Sequence, residues 1–218
     1  MNIFFMGTPE FAVPTLDILN KKYNVIGVFT QPPRPSGRGM KEIKSSIQEY
    51  SEKNKLNFYT PNNLKKDETL KLLVNLNPDL IVVVAYGVLI PEVILKIPSY
   101  GCINGHASLL PKWRGAAPIQ RAIEAGDIKT GCTSMLMEKG LDTGPMIHKK
   151  EMLIKMDNDV IDLFKSLSLL TAECLHETIQ KLISGDSKQT PQNNLEASYA
   201  HKLTLSLIHI SEPTRPNN

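Results

Sequence analysis

The chain has 218 residues, 41% hydrophobic and 22% charged, with a net charge of +3. That is enough chain for one full hydrophobic core and hardly two, and so mild a charge neither demands nor excludes a nucleic-acid partner. The cysteines Cys102, Cys132 and Cys174 are odd in number and lie in apolar runs, which argues against a disulfide scaffold or a cysteine metal site and for a reducing, cytoplasmic setting.

The first residues enter directly as a buried strand, with no basic or Arg-rich leader ahead of it. The longest uncharged apolar run, residues 80–91, is too short to span a bilayer. Residues 3–6 predict a strand broken by Gly7, Thr8 and Pro9, and Phe11, Leu16 and Leu19 supply the apolar face of a helix. A second strand over 24–30 completes a βαβ unit. Its continuous apolarity implies a sheet covered on both faces. The expected fold class is therefore α/β: a Rossmann-like, doubly wound, mostly parallel sheet with helices on both faces. The turn after the first strand lacks G-x-G-x-x-G, so no dinucleotide site is expected there.

Residues 31–44, QPPRPSGRGMKEIK, hold three prolines, two glycines and the basic residues Arg34, Arg38, Lys41 and Lys44, without apolar periodicity. They read as an exposed loop; its positive cluster would suit phosphates, although basic loops are commonly just solvated. Helices are predicted over 43–54 and 64–76, the second ended by Asn77-Pro78, with a short strand at 58–59 between them. The most apolar strand, 80–84, should be central. Ala85, Tyr86, Gly87 and Val88 leave its carboxyl end, where open α/β sheets bind ligands. A short helix over 91–97 precedes a strand at Cys102, and a helix over 117–125 carries Pro118 in its first turn. Strands over 131–137 and 146–151 follow. A last helix over 160–183 shows Leu163, Phe164, Leu167, Leu170, Leu175, Ile179 and Leu182 at helical spacing, a core stripe.

Residues 102–120, CINGHASLLPKWRGAAPIQ, concentrate more chemistry than a connection requires. Asn104 and His106 are two apart on a strand and so share a face. An amide donor beside an imidazole suits acyl transfer: one group holds a developing oxyanion and the other moves a proton. Asp142, in the Gly-flanked GLDTG loop, could orient and charge that imidazole if the two loops meet. Taken singly, each has a plainer reading, as a structural histidine and a turn-forming aspartate.

N-x-H-x-SLLP, WRGAAPIQ and GLDTG, together with MGTPEFAVPTLDIL, GVFTQPPRPSGRGMK and VVVAYGVLIP in the same order, resemble the methionyl-tRNA formyltransferases. These lie within the wider 10-formyltetrahydrofolate-dependent transformylases, and the likeness covers residues 1–203. It implies a catalytic Asn104, His106 and Asp142, and 10-formyltetrahydrofolate as co-substrate without a metal. It implies a folate pocket walled by Ser108, Leu109, Leu110, Pro111, Ala85, Tyr86, Gly87 and Val88. Initiator methionyl-tRNA would be the acceptor, met by Arg34, Arg38 and Lys41, with Arg38 the key residue. A catalytic domain over 1–203, a tail over 204–218 unlike the family, no C-terminal β-barrel and a monomer without membrane contact complete the expectation. Departures from the family pattern are Pro33, Gly105, Ala107 and Pro145. Two alternatives stand beside this reading: formylation of a small amine such as glycinamide ribonucleotide or an amino sugar, and a non-catalytic folate- or tRNA-binding domain.

Overall fold

The computed structural model describes residues 1–36, 41–155 and 159–203. Its centre is a seven-stranded sheet whose strands are β1 (Asn2–Gly7), β2 (Asn24–Phe29), β5 (Phe58–Tyr59), β6 (Leu80–Val84), β7 (Cys102–His106), β9 (Lys129–Leu136) and β10 (Met146–Leu153), in the order β10-β9-β7-β6-β1-β2-β5. β1, β2, β5, β6 and β7 run parallel; at one edge β9 pairs antiparallel with β7, and β10 antiparallel with β9. The chain winds outward from β1 to β2 and β5, then crosses to β6 on the other side of β1. That reversal opens a crevice at the carboxyl ends of β1 and β6, where such sheets hold ligands.

All five residues of β6 are buried, as expected of the middle strand of a sheet covered on both faces. On one face Ile3, Phe5, Val82 and Ile103 meet Leu16 and Leu19 of α1 (Val13–Lys22), Ile119 of α5 (Pro118–Glu124) and Leu163, Leu167, Leu175 and Ile179 of α6 (Val160–Ser184). On the other, Phe4, Met6, Ile81 and Val83 meet Leu73 of α3 (Asp67–Leu76) and Ile94 of α4 (Glu92–Leu95). The expected α/β architecture with helices on both faces is present. The stripe on the last helix is core packing, and the helix ends at Gly185 with φ 80°. Cys102, Cys132 and Cys174 are free and buried.

Several local expectations need correction. Residues 31–44 are not simply loop: β3 (Arg34–Ser36) and β4 (Lys41–Ile43) pair antiparallel. A three-residue ladder rests on main-chain bonds and needs no apolar period, and such an isolated ribbon has only edges, where a Pro35 is tolerated. Arg38, between the two strands, lies outside the described residues, as does the 204–218 tail. The helix predicted from 43 is α2 (Ser46–Lys53), because Ser45 stays extended and its side chain accepts from the Gln48 N–H. The helix predicted from 64 begins at Asp67, since Asn63 Oδ1 accepts from the Lys65 N–H at 2.8 Å and spends those residues on a turn.

Gly105 gains a physical reason here. A Cβ built on it would stand 2.7 Å from both Leu175 Cδ1 and Thr171 Cγ2 of α6. The helix thus sits on bare backbone in the middle of β7, beside the two candidate catalytic side chains. Gly105→Val is expected to lower stability by about 1–3 kcal/mol through overpacking. Urea unfolding with an unchanged m-value checks it; stability equal to the parent's would mean that α6 shifts freely.

Candidate active site

β7 places Asn104 and His106 on one face, and the β9–β10 connection brings Asp142 back to them. Asn104 Nδ2 donates to Asp142 Oδ1 at 3.3 Å, and His106 Nδ1 lies 3.6 Å from Asp142 Oδ2. The same Oδ2 accepts the Gly115 N–H at 2.9 Å. The three residues expected to act together are therefore in one cluster, with His106 only 6% exposed.

The other ring nitrogen is settled by its partner. His106 Nε2 stands 2.7 Å from the Trp113 carbonyl, which can only accept, so Nε2 carries the proton. In the neutral ring Nδ1 is then the lone-pair nitrogen, on the side of Asp142. A proton taken there converts the 3.6 Å approach into an ion pair. Trp113 itself has φ 62° and is fixed by Ser198 Oγ on its N–H and by Asp127 on its indole, at 2.9 and 2.6 Å.

Asp142 has φ 54°, tolerable for an aspartate in a tight turn. Gly144 has no room for a side chain, since a Cβ would fall 1.8 Å from the Leu136 carbonyl oxygen. Gln192 Nε2 donates to the carbonyls of Asp142 and of Gly144, both at 2.8 Å. Gln192 Oε1 accepts from Arg114 Nε at 2.9 Å, and Arg114 Nη2 donates to Asn194 Oδ1 at 3.0 Å. Arg114 is 2% exposed. Its strand, β8 (Arg114–Gly115), pairs parallel with β11 (Tyr199–Ala200).

Arg114, Gln192 and Asn194 are the site's neighbours that sequence reasoning missed. An arginine inside the otherwise apolar WRGAAP turn was a usable signal, because a buried guanidinium must find oxygen acceptors. Gln192 carried no signal at all, being one amide in a polar turn.

The residues expected to wall a folate pocket divide. Ser108 and Leu110 are buried, and the corner is folded over β9 and β10: Thr133 Oγ1 donates to the Ser108 carbonyl at 2.7 Å, the Leu110 N–H donates to Thr133 Oγ1 at 3.0 Å, and Lys149 Nζ donates to the Leu110 carbonyl at 2.5 Å. Burial holds the Lys149 ammonium below its usual range. Leu109 and Pro111 keep partial exposure, and the Leu110–Pro111 peptide is cis. At the end of β6, Ala85, Gly87 and Val88 are exposed, whereas the Tyr86 ring is buried in the core and its phenol is pushed up to about 12 by desolvation. Tyr86 therefore serves through its backbone: its carbonyl accepts from Thr8 Oγ1 at 2.9 Å and Gln31 Nε2 at 2.7 Å. Gln31 Oε1 in turn accepts from the exposed Arg34, which ties the base of the β3–β4 hairpin to the crevice. Lys41 enters the structure through its backbone pairing in β4.

Residues 1–179 match the formyl transferase family. The chain belongs to that family. This formyl transferase is 46% identical over 205 residues to the methionyl-tRNA formyltransferase of Idiomarina loihiensis, covering 94% of this chain and 65% of that one. It is 47% identical over 212 residues to the methionyl-tRNA formyltransferase of Alkaliphilus metalliredigens, covering 97% and 68%. It thus spans about two thirds of the length of these curated relatives. The fold is also that of the phosphoribosylglycinamide formyltransferase of Anaplasma phagocytophilum, at TM-score 0.73 and 16% identity over 89% of this chain and 95% of that one. A Helicobacter canadensis N-formyltransferase, solved with folinic acid and dTDP-3-aminofucose, superposes at TM-score 0.66 and 18% identity over 93% and 74%. At such identities these two likenesses concern the fold. Among the described residues no helix is long and apolar enough to cross a membrane.

Proposed function

We propose that this formyl transferase moves a formyl group from 10-formyltetrahydrofolate to the α-amine of methionine on initiator tRNA. The observation that carries the chemistry is the convergence of Asn104, His106 and Asp142, whose carboxylate lies between the amide and the imidazole. The choice of acceptor is supported by 44–48% identity to methionyl-tRNA formyltransferases over most of the chain.

In the proposed reaction the acceptor amine attacks the formyl carbon, a C–N bond forms, and the carbonyl oxygen takes the negative charge. Asn104 Nδ2 has a second hydrogen beyond the one on Asp142, and this donates to the oxyanion. Nδ1 of His106 takes the proton released by the amine, and the imidazolium so formed is stabilised by Asp142 Oδ2. Collapse breaks the bond from the formyl carbon to the folate nitrogen, which recovers the proton from His106. The contacts of 3.3 and 3.6 Å are longer than the 2.9 Å bond from Gly115; catalytic contacts of this kind tighten when substrate is in place.

For the folate, the crevice at the end of β6 offers Ala85, Gly87 and Val88 beside exposed Leu89, an apolar wall of the kind that receives a flat heterocycle. For the tRNA, Arg34 at the base of the β3–β4 hairpin, with Arg38 and Lys41 close to it in sequence, would supply phosphate-binding charge. Trp113, the chain's only tryptophan, is bonded to His106 through its carbonyl, so its fluorescence reports on the site. Titration with 5-formyltetrahydrofolate is expected to change that emission saturably and to raise Tm. No change in either would remove the folate from this crevice.

A further inference from the structure

The proposed chemistry depends on where the Asp142 carboxylate stands, and part of what sets that position lies beyond residue 179, where the match to the formyl transferase domain ends. Within its loop Asp142 holds a positive φ, and among the described residues its side chain is met by Asn104, His106 and the Gly115 N–H. The main chain around it is gripped by one side chain, Gln192, whose amide spans the carbonyls of Asp142 and Gly144 at 2.8 Å each. That amide is itself oriented: Oε1 faces Arg114 Nε at 2.9 Å, and since a guanidinium only donates, Nε2 is forced toward the loop. Arg114 is anchored in turn by Asn194 and by the pairing of β8 with β11. Its neighbour Gly115 supplies the N–H that binds Asp142 Oδ2, and a Cβ there would lie 2.9 Å from the Ala200 carbonyl oxygen. One polar assembly therefore holds the aspartate at both its backbone and its carboxylate. Residues 190–200 provide Gln192, Asn194 and β11 to it, beyond residue 179 where the match to the formyl transferase domain ends.

We propose that Gln192 is a positioning residue for the formyl transfer reaction, acting through the Asp142 loop, and that residues 190–200 are part of the active site. Gln192 touches no reacting atom. It acts through the two carbonyls it binds, and Arg114 selects which end of its amide does so. The inference rests on the catalytic reading given above for Asn104, His106 and Asp142.

Two substitutions at this position separate positioning from plain support. Gln192→Ala removes both contacts and leaves a buried guanidinium short of an acceptor, so it lowers both stability and turnover. Gln192→Glu keeps an acceptor for Arg114, as an ion pair, but sets a carboxylate against the two loop carbonyls and pushes the loop away. Displacing a reacting group by about 1 Å costs about 100-fold in rate. Gln192→Glu is accordingly expected to recover most of the Tm lost in Gln192→Ala while its kcat stays about 100-fold low, with the KM for 10-formyltetrahydrofolate unchanged. Amide hydrogen exchange over 140–144 is expected to quicken in both variants. Tyr50→Phe, which removes the distant 2.9 Å bond to Asp17, serves as a control of comparable kind; it leaves exchange in that loop unaltered. Recovery of both Tm and kcat in Gln192→Glu, or parental exchange over 140–144 in Gln192→Ala, would overturn the proposal. If the parent formylates no amine, the catalytic reading falls, and loop exchange in the two variants still decides whether Gln192 positions Asp142.

Discussion

Asn104→Ala is expected to lower kcat for formyl transfer by about 100- to 1000-fold, the usual loss when one oxyanion donor is removed. The effect follows from timing. The second Nδ2 hydrogen finds its strongest acceptor only when the formyl oxygen becomes an oxyanion, so the interaction is made chiefly in the transition state. The KM for the formyl donor should therefore change little, and kcat and kcat/KM should fall together. Asn104 is half-buried in the middle of β7 and its side chain's other contact is the 3.3 Å bond to Asp142, so truncation leaves the backbone pairing of the sheet intact. Single-turnover release of tetrahydrofolate checks it. A variant with near-parental turnover would take Asn104 out of the mechanism.

Asp142→Asn is expected to cost more, on the order of 1000- to 10,000-fold in kcat, by analogy with the loss of the orienting carboxylate in other imidazole-based acyl-transfer sites. The side chains are nearly the same size, and the fold should survive. What is lost is charge: no anion remains for the imidazolium formed at Nδ1. An amide group at this place must also answer three neighbours, of which the Gly115 N–H and Asn104 Nδ2 both donate. Only one oxygen is left for them, so one donor is stranded or the amide turns its N–H toward another N–H. Rates measured beside a circular-dichroism melt test this. Equal rates for parent and variant would mean that the carboxylate serves only to cap the turn.

The sheet was legible because burial is written in composition: the apolar runs at 3–6 and 80–84 are the two strands flanking the crevice. Asn104 and His106 were legible as a pair because a strand alternates its faces. The partnership with Asp142 was legible only as a possibility, since no spacing states that β9 and β10 are neighbours folded back on β7. The β3–β4 ribbon escaped notice because main-chain pairing leaves no mark in a Pro- and Gly-rich sequence. Gln192 and Asn194 were invisible for a deeper reason. Their significance comes from Arg114, about eighty residues away in the chain, and a long-range polar contact between common residue types has no local signature. The expected folate wall shows the same limit: chain position placed Tyr86 beside the crevice, but the direction of its ring into the core depends on packing that only the fold supplies.

The central claim, formyl transfer to the amine of methionyl-tRNA by this site, is tested most directly by one competition. The protein is given 10-formyltetrahydrofolate with methionyl initiator tRNA, glycinamide ribonucleotide or an amino sugar nucleotide. Tetrahydrofolate release is followed for the parent and for Arg38→Ala. The account predicts that methionyl-tRNA is formylated fastest, and that Arg38→Ala abolishes this turnover while leaving folate affinity intact. Faster formylation of either small amine, with no effect of Arg38→Ala, would contradict it.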